Sequence, residues 1–149
     1  MNERELEFLE KNHTAAMITL RPDGAPHAVR VSVALVDGKV WSSGTPARRR
    51  TAYLRRDPRA TLFVFDTGPG ASWRWLTLEA RVRILEGPGL PELSARLFET
   101  IQRSLDRPPG SGHLFWEGTE RPLDEFLRIM REEQRLIYEF DVLRTYGMF

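Results

Sequence analysis

Cysteine is absent from this chain of 149 residues. Its absence excludes disulfide bonds, thiolate catalysis and cysteine-ligated zinc or iron–sulfur centres, although it does not indicate a compartment. Histidine is scarce as well, because His13, His27 and His113 are the only three and lie in separate segments. Their spacing does not match that of metal ligands, so we expect no metal site.

Long hydrophobic runs are also missing. No apolar stretch approaches the roughly 20 residues that a membrane-spanning helix needs. The first residues, Met1 to Glu7, are acidic, whereas a signal peptide would begin with basic residues and continue with apolar ones. We therefore expect a cytoplasmic protein that does not contact a membrane.

Lysine is nearly absent, since Lys11 and Lys39 are the only two, and arginine supplies almost all the positive charge. This bias is consistent with a GC-rich genome as well as with a function. Lysine and arginine together number 22 against 21 acidic residues, which leaves a net charge of +1 and disfavours general nucleic-acid binding. The length and the 41% hydrophobic content predict one globular domain over residues 1–149.

An arginine-rich segment, residues 45–60, is the most informative part of the sequence. Thr45 is a predicted N-cap and Pro46 a predicted first helical residue, so the arginines at 48–50 would lie in or near the first turn. Each cation there costs roughly 0.3–1 kcal/mol, because the helix dipole already makes that end positive. A bound phosphate would offset this cost. The alternative interpretation is a solvated basic face on a surface helix.

The hydropathy pattern predicts a mainly β protein with inserted helices. Residues 28–35 alternate cleanly and predict one strand, residues 60–65 predict a buried strand, and Asp37-Gly38 predicts a hairpin. Further strands are predicted at 15–20, 39–43, 73–85 and 136–142, the last followed by a tail. Amphipathic helices are predicted at 3–11, near 93–101 and at 122–134, with a long irregular loop at 106–120. About six antiparallel strands with helices at the corners favour a small β-barrel.

Four segments together resemble a known family. They are Arg-Pro-Asp-Gly-Ala-Pro-His at 21–27, the Asp37-Gly38 hairpin, the helix at 49–60 running into Thr-Leu-Phe-Val, and the aromatic strand at 73–80. They resemble the pyridoxamine-5′-phosphate-oxidase-like split β-barrel proteins, and most of all the actinobacterial flavin/deazaflavin oxidoreductases that use coenzyme F420. The resemblance implies an α+β, FMN-binding-like split β-barrel. It also implies a homodimer with two cofactor grooves at the subunit interface, each lined by both chains.

The same resemblance implies a set of cofactor-binding residues. Phosphate contacts are implied for Arg48, Arg50 and Thr51, and ring contacts for Arg30 and Ser32. Ser42, Ser43 and Gly44 match the strand end beneath the ring, and Trp73 matches an aromatic residue that reaches the groove from the partner subunit.

Each of these assignments has a structural alternative. Arg30 would pair equally well with Asp37 or Glu79 across the sheet. Trp73 and its neighbour Trp75 would fit the core or a dimer interface. The later arginines of the segment, at positions 55, 56 and 59, are expected to be solvated or paired with Asp57.

The resemblance implies a hydride-transfer enzyme acting on a small organic substrate, with F420 as the cofactor. A reduced deazaflavin reacts poorly with oxygen and gives up electrons in pairs, which implies a reductase, and the cofactor brings that chemistry with it. The arginines near the phosphate motif favour F420, whose tail carries extra carboxylates. FMN in the same groove would instead imply a pyridoxamine-phosphate-oxidase-like oxidase or reductase. A non-catalytic cofactor- or ligand-binding protein is the third possibility, because the sequence shows no acid–base dyad or nucleophile.

Overall fold

The computed structural model describes residues 1–149, which form four helices and nine strands. The helices are α1 (Glu3–Lys11), α2 (Arg49–Arg56), α3 (Leu90–Gln102) and α4 (Leu123–Glu132). The strands are β1 (Thr14–Leu20), β2 (Pro26–Ser32), β3 (Ala34–Val36), β4 (Lys39–Gly44), β5 (Arg59–Phe65), β6 (Trp75–Leu85), β7 (His113–Trp116), β8 (Thr119–Pro122) and β9 (Leu136–Met148). None of the helices is long and apolar enough to cross a membrane.

Seven of the strands form one antiparallel sheet in the order β2-β1-β5-β6-β9-β4-β3, and β7 and β8 form a separate hairpin. The large sheet curls into a half-barrel, so that β2 comes close to β4 without pairing with it. A single side-chain bond crosses this gap, where Ser42 Oγ donates to the carbonyl of Ser32 at 2.8 Å. We call the gap between β2 and β4 the seam. The architecture is the α+β split β-barrel that the sequence predicts.

The main core lies inside the curl of the sheet. Alternate residues of β6 point into it, as the sequence predicts, and Leu76 and Leu78 are fully buried. Phe8 and Leu9 of α1 close one side of this core. A second apolar cluster forms on the outside of the sheet, where Leu90 and Leu97 of α3 pack against β3, β4 and β9.

The alternating run at 28–35 is not one strand, contrary to the prediction. Strand β2 pairs with β1 and ends at Ser32, whereas β3 begins at Ala34 and pairs with β4. The chain changes neighbours at Val33, whose N–H donates to the carbonyl of His13 at 2.8 Å. An alternating pattern shows only on which face of the sheet each side chain lies. It therefore continues where the chain changes its partner strand. The predicted hairpin at Asp37-Gly38 is confirmed, with φ of 50° and 75°.

Two further predicted boundaries were wrong. The residues after 142, predicted as a tail, continue β9. This strand pairs with β6 from Leu85 to Trp75, and the register shifts between Glu79 and Ala80 of β6. Gly147 permits this pairing, since a Cβ there would collide with the backbone of β6. The predicted loop at 106–120 contains β7 and the start of β8. These two strands, together with the division of the run at 28–35, raise the number of strands from about six to nine. Because a hairpin this short has few alternating residues, its pattern is weak in the sequence.

Strand β5 is buried on one face only, which corrects the prediction of a buried strand. Its outward residue Phe63 is 36% exposed and stacks on Trp75 of β6, with ring centroids 5.3 Å apart. Trp75 in turn meets the edge of Tyr146 of β9 at 6.3 Å. We call these three residues the aromatic strip. It lies on the outer face of the sheet, where no helix covers it.

Candidate functional site

A groove of about 180 Å³ lies over the seam. Five residues predicted to bind a cofactor line it together: Arg30 and Ser32 of β2, Ser42 and Ser43 of β4, and Arg50 of α2. The strands supply these residues because β2 and β4 both present their ends to the seam, and α2 follows β4 directly. The structure therefore brings the main part of the predicted site into one place.

The opposite wall of the groove is apolar and was not predicted. It consists of Leu97, Phe98 and Ile101 of α3 and Trp116 of β7. The sequence does mark the α3 residues as an apolar stripe, but a stripe does not reveal which surface it faces. Trp116 lies in the segment predicted as a loop, so nothing in the sequence placed it at the site.

A third arginine, Arg135, also lines the groove and was not among the predicted residues. It follows Gln134, whose φ of 53° ends α4, and the Arg135 N–H donates to the carbonyl of Met130 at 3.0 Å. This turn places the guanidinium 4.7 Å from the ring centroid of Trp116. Arg135 also donates to Glu133 Oε1 at 2.8 Å.

Helix α2 begins later than predicted. Its N-cap is Arg48, and neither Thr45 nor Arg48 makes a side-chain cap. The chain turns once before the helix, because the Arg48 N–H donates to the carbonyl of Thr45 at 3.2 Å. The first-turn N–H groups of Arg49 and Arg50 consequently have no intrahelical acceptor, and no acidic residue lies in that turn. This end of α2 offers backbone donors and positive charge to an anion.

Arg50 is the most constrained cation of the site. It is partly buried, its Nη2 donates to the carbonyl of Ser43 at 3.3 Å, and its guanidinium lies 5.5 Å from the ring centroid of Tyr138. No carboxylate pairs with it. Burial lowers the pKa of Arg50, because the cation is moved out of water without an anionic partner. A bound anion would supply that partner.

Thr51 and Gly44, two of the predicted residues, pack around Tyr138. Thr51 is fully buried, its hydroxyl donates to the carbonyl of Thr45 at 2.7 Å, and it lies 2.5 Å from the hydroxyl of Tyr138. A Cβ on Gly44 would lie within 3.0 Å of the Tyr138 ring and hydroxyl. These contacts fix α2 against β4 and β9. Direct contact of either residue with a cofactor stays a prediction.

The other predicted site residues lie outside the groove of this chain. Arg48 is exposed before α2, and Trp73 is 89% exposed in the loop between β5 and β6. Arg30 forms neither of the ion pairs considered as alternatives, with Asp37 or with Glu79. Asp37 pairs with Arg96 instead, and a carboxylate oxygen of Glu79 lies 3.9 Å from a guanidinium nitrogen of Arg144. Arg30 is therefore free to face the groove.

The later arginines of the segment at 45–60 are engaged elsewhere. Arg55 pairs with Glu86 at 2.8 Å, and Arg59 pairs with Asp57 at the same distance. The hydrogen bonds from Arg59 lower the pKa of Asp57 to about 2. These side chains are exposed, as the sequence predicts, and they do not contribute to the groove.

Unsatisfied polar atoms concentrate in the groove. Seven buried side-chain nitrogen or oxygen atoms in the chain lack a hydrogen-bond partner, and three of them belong to groove residues, namely Ser43 Oγ, Arg50 Nε and Trp116 Nε1. Buried polar groups in folded proteins are nearly always paired, and each exception calls for an explanation. A ligand with acceptor oxygens would satisfy the donors of all three residues.

The positive charge of the groove favours an anionic ligand. Three guanidiniums line it, from Arg30, Arg50 and Arg135, and no aspartate or glutamate does. It holds no thiol, carboxylate or histidine that would act as a nucleophile or general base. The side chains are therefore suited to binding and orienting an anion with an apolar body.

A model of the family described as pyridoxamine 5′-phosphate oxidase matches residues 1–117 of the chain. The chain belongs to the pyridoxamine 5′-phosphate oxidase family. Its family is therefore one of flavin-type, oxidoreductase-like proteins. The match ends after β7, so Arg135 and Tyr138 lie beyond it. A search of curated protein sequences found no match.

Solved structures share the fold. A conserved hypothetical protein from Mycobacterium tuberculosis superposes with a TM-score of 0.72 at 21% identity, over 99% of this chain and 84% of that one. An F420 reductase gives 0.68 at 18% identity, over 98% of both chains. A putative pyridoxamine 5′-phosphate oxidase from Listeria innocua gives 0.63 at 13% identity, over 97% of this chain and 95% of that one. At these identities the likeness establishes the split-barrel fold alone.

Proposed function

We propose that this protein is a cytoplasmic, F420-dependent oxidoreductase that transfers a hydride to a small organic substrate bound at the seam. The observation that carries the proposal is the groove itself, which is lined by three guanidiniums, two of them, Arg30 and Arg50, without a carboxylate partner. Three of the lining residues also carry a buried polar atom that has no hydrogen-bond partner. A cofactor with a phosphate and a conjugated ring supplies the acceptors that this groove lacks and an apolar surface that matches its apolar wall.

The phosphate would be held at the start of α2. Arg50 offers its unpaired Nε, Ser43 offers its hydroxyl, and the first turn of α2 offers free backbone N–H groups. The ring would lie over Arg30, Ser32 and Ser42 of the two strands. When bound, the deazaflavin supplies hydride transfer. The protein's part is to orient the ring and to keep water from it.

F420 is proposed in preference to FMN because positive charge continues beyond the phosphate position. Arg48 and Arg49, exposed beside Arg50 at the start of α2, remain for further anionic groups once Arg50 is engaged. The F420 tail carries such groups, whereas FMN has a single phosphate. The similar fold of an F420 reductase, which extends over 98% of both chains, is consistent with this choice.

We also propose a homodimer. The groove of one chain, at about 180 Å³, is smaller than the roughly 300–1,000 Å³ typical of pockets for drug-sized ligands. A second subunit packed on the aromatic strip would enlarge the site, and Trp73, which is 89% exposed, would then be available to contact the partner's cofactor. The strip would be shielded from water in the same step.

Separate titrations with F420 and with FMN test the cofactor assignment. We expect micromolar binding of F420, followed by quenching of tryptophan fluorescence, because Trp116 lines the groove. Binding of FMN alone would favour the oxidase or reductase of the pyridoxamine-phosphate-oxidase type. Binding of either cofactor without hydride transfer to any acceptor in a panel would indicate a non-catalytic binding protein.

The role of Arg50 is tested by Arg50→Ala. We expect cofactor binding to weaken by about 1.5–3 kcal/mol, because a charged hydrogen bond to the phosphate is lost. Arg56→Ala is the matched control, since Arg56 lies at the other end of α2 and donates only to the carbonyl of Pro22. Calorimetric titration of both variants measures the difference. Equal affinities for the two variants would contradict the assignment of the phosphate site.

A further inference from the structure

Three residues that line the groove are not needed for the proposed phosphate position. Arg30 lies on β2, Trp116 on β7 and Arg135 after α4, and all three line the same groove. Trp116 and Arg135 were not expected from the sequence, and Arg135 lies beyond the residues matched by the family model. We call them the Arg30–Trp116–Arg135 cluster.

Two members of the cluster, Trp116 and Arg135, are held firmly by their neighbours. The ring of Trp116 meets the edges of Phe98 at 5.3 Å and Phe126 at 5.8 Å, and the guanidinium of Arg135 covers it at 4.7 Å. The side chain of Arg135 is only 12% exposed. A preorganised group of this kind loses little conformational entropy when a ligand binds.

The cluster has unused donors. Arg135 gives Nε and Nη2 to one oxygen of Glu133, which leaves further N–H groups of its guanidinium without a side-chain acceptor. Arg30 has no carboxylate partner, and Trp116 Nε1 is buried without an acceptor. A carboxylate has two oxygens with which to accept from such donors.

The rest of the wall is apolar, since Leu97, Phe98 and Ile101 continue the surface away from Arg135. A ligand that fits has an anionic head and a small apolar body. We propose that the Arg30–Trp116–Arg135 cluster binds the carboxylate of a small conjugated acid, and that this acid is the substrate class of the enzyme.

The anion site does not depend on the proposed function. The assignment of the bound acid as a substrate does rest on it. Guanidiniums on the carboxylate withdraw electron density from an attached double bond, which makes it a better hydride acceptor. Reduction would add a hydride from the reduced deazaflavin to the β-carbon and a proton from water to the α-carbon. The products are the saturated acid and the oxidised cofactor.

The experiment is calorimetric titration of the purified chain with trans-cinnamate and with cinnamamide, its uncharged counterpart, with and without F420. We expect cinnamate to bind at least about tenfold more tightly than cinnamamide, since charged hydrogen bonds distinguish the two. Equal binding, or no cinnamate binding in either cofactor state, would overturn the proposal.

Variants test the residues. Arg135→Gln is expected to weaken cinnamate binding about tenfold or more, with partial recovery in Arg135→Lys. Arg128→Gln on α4, which is exposed and outside the groove, is the matched control. Arg30→Gln provides a second test on an exposed residue if Arg135→Gln lowers the melting temperature. Cinnamate affinity unchanged in both groove variants would refute the cluster.

The outcome is separable from that of the proposed function. Cinnamate binding that depends on Arg135, in a chain that binds neither F420 nor FMN, would support the anion site and refute the oxidoreductase. Cofactor binding and hydride transfer to another acceptor, without cinnamate binding, would support the oxidoreductase and refute the anion site.

Discussion

At the scale of single residues, Gly44 and Tyr138 determine how β4 meets α2. The Tyr138 ring occupies the space that a side chain at position 44 would need, and its hydroxyl contacts Thr51. The guanidinium of Arg50 lies over the same ring. One tyrosine thus supports both the start of α2 and its groove-facing cation.

Gly44→Ala tests this packing. We expect it to lower the free energy of unfolding by about 1–3 kcal/mol, because the added methyl group must displace the Tyr138 ring. Cofactor binding should weaken too, since Arg50 rests on that ring. Chemical denaturation measures the first effect and calorimetry the second. Gly68→Ala is the control, because its Cβ would meet no atom within 4 Å. The same small change in both variants would contradict the packing argument.

His13 gives the protein a pH-dependent stability. Burial lowers its pKa below the ordinary value of 6.5, although the carbonyl of Val33 at 2.9 Å from Nδ1 acts in the opposite direction. The unfolded chain therefore takes up a proton more readily than the native one. Stability from this residue is complete above about pH 6.5 and falls as the pH drops toward the native pKa.

Melting temperatures between about pH 8 and 5.5 check this prediction. We expect the wild-type melting temperature to decrease on acidification and His13→Gln to show a smaller decrease. His27, whose pKa is also lowered by burial and then by nearby arginines, retains part of the effect in both proteins. Parallel curves for the two proteins would rule out a contribution from His13.

At the scale of elements, the end of α4 places Arg135. Gln134 adopts a φ of 53°, a left-handed conformation that a residue with a Cβ adopts at a cost of roughly 1–2 kcal/mol. The resulting turn directs the chain from α4 into β9 and places the guanidinium on Trp116. The strained residue therefore lies beside the candidate site.

Gln134→Gly should raise the free energy of unfolding by about 0.5–1 kcal/mol, because glycine accepts this φ without a steric cost. Glu132→Gly, in the helical last turn of α4, is the opposing control and should lose about 1 kcal/mol. Urea denaturation of both variants measures the difference. A destabilised Gln134→Gly would mean that the glutamine side chain makes a contribution of its own.

At the scale of the whole molecule, the aromatic strip and the size of the groove both suggest a second subunit. Phe63 is 36% exposed, Tyr146 50% and nearby Met148 53%, on a face that no helix covers. Apolar surface of this kind on a monomer commonly marks an interaction site. Two copies packed on the strip would bury it.

Phe63→Glu is expected to convert the dimer into a monomer, because a charge in the strip would have to be buried unpaired. Sedimentation velocity measures the assembly, and cofactor titration should show weaker binding by the monomer. Leu105→Glu is the matched control, since Leu105 is 47% exposed and lies away from the sheet. A dimer that persists in Phe63→Glu would place the interface elsewhere.

The polar floor of the candidate site could be predicted through the family resemblance, because the motifs that carry this resemblance are local segments of the chain. The alternation of β2, the hairpin at Asp37-Gly38 and the arginines before α2 are all local patterns, and the structure brings Arg30, Ser43 and Arg50 together. The opposite wall could not be predicted, since Trp116 and Arg135 reach the groove only through the packing of α3, β7 and α4.

The sequence by itself determined the alternating core face of β2 and β6, the hairpin at Asp37-Gly38 and the position of the arginine-rich segment. Those properties depend on side-chain periodicity and on turn residues a few positions apart. Only the tertiary structure decided that β2 and β4 meet at the seam and that Arg135 covers Trp116. Those contacts join residues far apart in the chain, and a local pattern contains no information about its distant partner.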